Sequence, residues 1–175
     1  AMRGARNPLN SWARYDSYFD DKGDFVFGEN DLSLAKRLCA AGTDHRKFVR
    51  MIFVSVDVTA PMYWWEEYDT YKIGTVANST STMHKITSKP FALSDFSVDH
   101  MNAEGIAAME KLIETLEDLR LRYLETKDKE LWYTIIQLLP SSYNQMRTCT
   151  LNYENLCNIY YASRNHKLVE WHTYC

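Results

Sequence analysis

An α+β fold, with a central antiparallel or mixed sheet flanked by long helices, follows from three features of the sequence. Residues 48–58 form a β-branched and apolar run whose second half alternates, with Val54, Val56 and Val58 on one face and Ser55 and Asp57 on the other. Residues 102–126 carry Ile106, Met109, Leu112, Ile113, Leu116, Leu119 and Tyr123 at helical spacing, a single inward stripe on the longest helix. Residues 128–139 repeat the pattern with Leu131, Trp132, Ile135 and Leu138, so two helices should pack side by side against the sheet.

Length and composition bound the rest. A chain of 175 residues reads as one domain spanning 1–175, and its 46% hydrophobic and 14% aromatic content excludes a disordered chain. The net charge of −3 and pI near 6.0 leave no basic footprint for a nucleic-acid partner. No apolar run reaches membrane-spanning length and no signal-peptide pattern opens the chain. The expected setting is therefore cytoplasmic, without membrane association. Cys39, Cys149, Cys157 and Cys175 form no CxxC pair, so reduced thiols are expected and no metal site is. The sequence stops at Cys175 inside a stretch that reads as helix, and a continuation of the natural chain is expected there.

In order along the chain, residues 3–30 lack a sustained period and read as an irregular arm, with turns at Asn7-Pro8 and Lys22-Gly23. Trp12, Tyr15, Tyr18 and Phe19 are expected to pack it onto the body, while Arg3, Arg6 and Arg14 are candidates to meet a phosphate. A helix should follow over 31–41, capped by Asn30 or Asp31, with Leu32, Leu34, Ala35 and Leu38 inward and a stop at Gly42. His45 lies in the next turn. Arg50 falls within the apolar run, where a charge needs either a carboxylate such as Asp57 or a phosphate.

Thr59-Ala60-Pro61 reads as a helix entry, with the helix running to about Lys72 and Gly74 ending it. Trp64, Trp65, Tyr68 and Tyr71 are core or interface aromatics, or a stacking platform. The neutral stretch from Thr75 to Thr82 is either a solvated loop or a ligand cradle, in which Thr75, Asn78, Thr80 and Ser81 bond a sugar or base edge. Residues 88–99 form a loop anchored by Phe91 to Leu93.

Residues 58–82 resemble the core of the flavin-dependent thymidylate synthases, also called thymidylate synthase complementing proteins. That family has an Ala-Pro helix entry, then Gln, Arg-His-Arg-x-x-Ser and Asn-Glu-x-Ser-x-Arg-Tyr. Without a gap after Ala60-Pro61, the glutamine falls on Glu67, Arg-His-Arg on Thr70, Tyr71 and Lys72, and the serine on Thr75. The glutamate falls on Asn78, the second serine on Thr80 and the last arginine on Thr82. After Leu139-Pro140 the resemblance resumes, with the family's two flavin-side asparagines on Asn152 and Asn158, its pyrimidine-holding arginine near Arg164, and its His-x-x-x-Glu on His166 to Glu170. Glu154 stands where the family has an arginine, as does Ile136.

The resemblance implies FAD held by His45, Arg50, Tyr71, Lys72, Asn78, Asn152 and Asn158. It implies a pyrimidine deoxynucleotide, dUMP or a relative, held by Glu67, Thr70, Thr75, Thr80, Ser81, Thr82 and Arg164. Methylene-tetrahydrofolate would supply the carbon and NADPH the electrons of a reductive transfer that needs no protein nucleophile. It further implies a homotetramer. The exchanged arginines matter energetically, because each bidentate guanidinium contact to a phosphate is worth roughly 1.5–3 kcal/mol. A nucleotide-binding protein without catalysis, and a structural oligomer, are the other readings.

Overall fold

The computed structural model describes every residue except position 72. In chain order its helices are α1 (Met2–Arg6), α2 (Glu29–Ala40), α3 (Met62–Tyr68), α4 (Thr82–Lys85), α5 (Ala103–Thr126), α6 (Lys129–Leu138), α7 (Tyr153–Ser163) and α8 (Glu170–Tyr174). Its strands are β1 (Tyr18–Phe19), β2 (Phe25–Val26), β3 (Phe53–Pro61), β4 (Val76–Ser79) and β5 (Asn144–Asn152). β1 and β2 form an antiparallel hairpin, and β3, β5 and β4 form a sheet in that order. The chain divides into two compact units, one of Ala1–Ser55, Ile73–Thr75 and Thr150–Cys175, the other of Val56–Lys72 and Val76–Cys149.

In the first unit the expected irregular arm is partly regular. α1 buries Met2 and Ala5 against Phe48 and Val49, with Leu34, Ala35 and Leu38 of α2 packed alongside. Phe48 and Val49 do this from a 3-10 turn, Lys47–Met51, and not from the strand that the apolar run suggests. Burial against α1 sets their conformation, and β3 begins only at Phe53. Arg50 consequently lies exposed on that turn, not inside a strand. Trp12, Tyr15, Tyr18 and Phe19 do not seal the arm, since all four remain exposed, Phe19 at 69%. Phe25 instead packs edge-on between Phe19 and Phe27 along the hairpin.

α2 starts two residues earlier than expected and takes neither Asn30 nor Asp31 as its cap. Asp16 reaches in from the arm, its carboxylate accepting the Asn30 and Asp31 amides at 2.8 and 3.0 Å. That seam leaves no room for a side chain at Gly28, where a Cβ would lie 2.1 Å from Asp16 Cγ. Asp31 itself is fully buried. It accepts the Arg6 Nε at 2.5 Å, and the hydroxyl and amide of Ser17 at 2.5 and 3.1 Å. Arg6 is therefore an internal ion-pair partner and not an exposed phosphate ligand, and Leu32, expected inward, faces out.

In the second unit α5 and α6 pack as the sequence predicts, over a core of Ile86, Phe91, Phe96, Met109, Leu116 and Ile135. Asn102 caps α5 by accepting the Gly105 amide at 2.8 Å, and Asp128 caps α6 by accepting the Glu130 amide at 2.9 Å. Arg120 lies off the apolar stripe of α5 in sequence spacing. It is buried, not on an outer face, and donates to both oxygens of Glu117, at 2.8 and 2.6 Å, while Glu117 also accepts the Phe91 amide. Leu138, expected inward on α6, is exposed.

β3 continues through Thr59 and Ala60 to Pro61, and Pro61 is also the N-cap of α3, so the expected helix entry is present and lies at the end of a strand. The first amides of α3, Met62 and Tyr63, donate to the Tyr143 and Ser141 carbonyls at 3.1 Å each, which replaces a side-chain cap. α3 stops at Tyr68 and not near position 72. The Thr70 hydroxyl and amide both donate to the Glu67 carbonyl, at 2.8 and 3.1 Å, and so close the last turn. The hydroxyl-rich stretch is likewise no loop, because β4 and α4 occupy most of it.

Candidate functional site

Two polar regions, one in each unit, collect part of the sequence candidates: Thr80, Ser81 and Thr82 in the second unit and Asn152 in the first. In the second unit the ends of β4 and β5 and the start of α4 border a cleft of about 250 Å³. Thr80 donates its amide and its hydroxyl to the Met146 carbonyl, each at 2.9 Å. Gln145 Nε2 donates to the Thr80 carbonyl at 3.1 Å and to the Thr82 hydroxyl at 3.3 Å. Ser81 caps α4 by accepting the His84 amide at 3.3 Å. The three hydroxyls are thus pinned by backbone and amide partners and keep spare lone pairs for a ligand.

The charges of the cleft are two lysines and one aspartate. Lys89 is bonded to Asp95, which pushes its ammonium further up, and burial raises the nearby Tyr143 phenol. Lys85 is exposed in the same cleft and has no ion-pair partner among the described residues. An unpaired ammonium among fixed hydroxyls suits a phosphate or a hydroxylated sugar. Lys89, Asp95, Tyr143 and Gln145 were not among the sequence candidates. Tyr143 and Gln145 had a sequence signal in the polar run 141–145 that follows Leu139-Pro140, and Lys89 and Asp95 had none.

In the first unit the end of β5 meets the turn at Ile73–Thr75. Gly74 adopts φ 77°, and a Cβ there would approach Asn152 Nδ2 at 3.2 Å. Asn152 caps α7 reciprocally with Asn155, each side chain accepting the other's amide at 3.1 Å. Asn155 also donates to the Ile73 carbonyl at 2.5 Å. Glu154, only 4% exposed, accepts Arg46 Nε and Nη2 at 2.9 and 3.0 Å, and this bonding pushes the Arg46 guanidinium further up. Glu154 is therefore one half of a largely buried ion pair.

Other candidates are placed one by one. Asn158 is exposed midway along α7, and Arg164 ends that helix with its guanidinium 5.5 Å from the Tyr160 ring centre. His45 is exposed in the turn after Gly42, where φ is 97°. Thr70 and Asn78 are exposed, and Glu67, Tyr71 and Thr75 are half-buried. Lys72 lies outside the described residues.

Trp64, Trp65 and Tyr68 are core, with Trp64 and Tyr68 stacked at 5.2 Å. One face of Trp65 is covered by Arg147 at 4.3 Å, while its indole N–H donates to the Gln145 carbonyl at 2.9 Å. Arg147 is held in place by Asp69, at 2.9 and 3.2 Å, and by Gln145. All four cysteines are free thiols, and the Cys149 thiol is raised by burial. No group of side chains suited to a metal ion occurs among the described residues, and none of their helices is long and apolar enough to cross a membrane.

No protein-family model matches the sequence, and no curated protein matches it. Solved structures do. The fold is similar to that of flavin dependent thymidylate synthase ThyX from Helicobacter pylori complexed with FAD and dUMP, with a TM-score of 0.70, 18% identity, and coverage of 98% of this chain and 83% of that one. A second structure of that protein with FAD and dUMP, at 2.31 Å, gives a TM-score of 0.70, 18% identity, and coverage of 98% and 82%. The α+β fold is thus that of the flavin-dependent thymidylate synthases.

Proposed function

We propose that this chain is a diverged flavin-dependent thymidylate synthase-like protein that binds FAD and a pyrimidine deoxynucleotide. The observation that supports it most is the similarity, over 98% of the chain, to a protein whose structure holds both ligands. The side chains left free also fit the two groups. His45, Arg50 and Asn158 are exposed donors available to a flavin dinucleotide, and Arg164 is an exposed guanidinium available to the pyrimidine nucleotide. Thr80, Ser81, Thr82 and Lys85 offer hydroxyls and one ammonium to a nucleotide's sugar and phosphate. Lys85 and Arg50 act as substitutes for exchanged arginines, and a lysine brings charge without the guanidinium fork. Bound flavin would supply redox chemistry, with NADPH and methylene-tetrahydrofolate as co-substrates, in a homotetramer. This chain's own residues would bind and orient.

A second reading, nucleotide binding without turnover, is favoured by the Arg46–Glu154 pair. It fills with a satisfied carboxylate a position the family gives to a cation, which leaves one cation fewer for anions. Two measurements test both readings. Purified protein should show the absorbance of oxidised flavin or acquire it on reconstitution, and a colourless preparation that cannot be reconstituted removes the first reading. dUMP should raise the melting temperature, by an amount equivalent to about 2.7 kcal/mol at a hundredfold excess over Kd. Asn158→Ala and Arg164→Ala should each abolish that shift without unfolding the protein. If no pyrimidine nucleotide moves the transition, both readings fail.

A further inference from the structure

The first unit contains a second cavity, of about 410 Å³, between the arm and α2. One wall is a single helical face, since Asn30, Ser33, Leu34, Arg37, Leu38 and Ala41 recur at intervals of three and four. Along the helix axis that face runs about 16 Å. The opposite wall comes from the arm and includes Leu9, Ser11 and Arg14. The arm is fixed there by buried bonding. Arg6 is 2% exposed, is held by Asp31, and donates from Nη1 to the Ser11 carbonyl at 3.0 Å.

The charge of this groove is one-sided. Arg14 and Arg37 both line it, and neither has a carboxylate partner among the described residues. No carboxylate lines it either, because Asp31 lies behind Arg6 and is consumed there and by Ser17. Arg6 thus contributes no net charge, whereas Arg14 and Arg37 contribute two. Guanidinium groups favour forked anions, and the flanking hydroxyls of Ser11 and Ser33 and the amide of Asn30 can complete such a contact. Leu9, Leu34 and Leu38 give the remaining wall an apolar character suited to a ring or short chain. The volume is in the range of small-molecule sites.

We propose that this groove binds a small organic anion, a phosphate or carboxylate head carried on an apolar body, with Arg14 and Arg37 holding the head. The site stands apart from the nucleotide and flavin reading and does not rest on it.

Isothermal titration of the full chain with phenyl phosphate, benzoate and phenol tests it. At least one of the two anions should bind saturably and phenol should not, and the anion that binds names the head group. Arg14→Ala and Arg37→Ala should each weaken binding about tenfold, and the double variant about a hundredfold. Inorganic phosphate should bind about tenfold more weakly than phenyl phosphate, if the latter is the ligand, because it leaves the leucine wall unfilled. Ser33→Phe keeps both arginines but fills the groove, and it should abolish binding with the melting temperature unchanged. The dUMP-induced melting shift should be the same in the double variant as in the parent, so failure here and failure of the nucleotide reading are separable. Binding of neither anion, or equal anion binding by the parent and the double variant, overturns the proposal.

Discussion

The end of β5 and the cleft beside β4 begin from similar polar sequences and use them in opposite ways. At Asn152–Asn155 the amides, the Glu154 carboxylate and Arg46 are bonded to one another or to backbone, so the region's polarity is spent on holding α7 and the turn at Gly74. In the cleft Thr80, Ser81 and Thr82 are anchored as well, but Lys85 projects into open space without a counter-ion. Polar composition alone therefore does not mark a binding site. What separates the regions is whether charge is neutralised within the protein.

The largest expected effect comes from breaking the satisfied region. Glu154→Ala leaves Arg46 without its partner in a mostly buried setting and should cost about 3 kcal/mol in chemical denaturation. A loss within about 0.5 kcal/mol would mean that the region is as open as the cleft. Lys85→Ala should do the reverse, changing stability by less than about 0.5 kcal/mol while weakening dUMP at least about tenfold in a thermal-shift titration. If Lys85→Ala leaves dUMP affinity intact, the contrast between the regions loses its functional half. Asn152→Ala should cost about 1 kcal/mol as a lost cap, read in the same denaturation series.

Acid supplies the smallest handle near neutrality. Burial raises the Asp31 carboxyl, but the bonds from Ser17 and Arg6 outweigh it and hold the group below its ordinary value. A depressed folded-state pKa means that this stabilisation is complete above the unfolded carboxylate's pKa of about 3.9 and is lost as pH falls through the folded value. Melting temperatures at pH 7 and pH 5 should therefore show no Asp31-dependent difference. Below pH about 4 the parent should lose stability more steeply than Asp31→Asn, and parallel acid limbs would contradict that assignment.

How much of this was legible in the sequence depended on the range of the interactions. The α5 stripe and the Asn102 and Asp128 ends of the two long helices rest on local spacing and capping, and could be read directly. Phe48 and Val49 were misread because an apolar pair looks the same whether it enters a strand or packs under α1. β4 was misread because its hydroxyl and amide residues have weak strand preference, and pairing to β5 supplies the conformation. Arg46 and Glu154 meet across 108 positions of sequence, and Arg6 and Asp31 across 25, with no pattern to connect them.

The seam at Gly28 carries a consequence for tolerance to change. Its φ of −75° is one that any residue adopts, so the constraint is one of volume and not of torsion. The smallest added carbon would push the Asp16 carboxylate off the amides that open α2. Alanine, ordinarily the mildest exchange for glycine in such a backbone, would here uncap α2 by displacing a carboxylate that lies fourteen residues before the Asn30 amide it accepts.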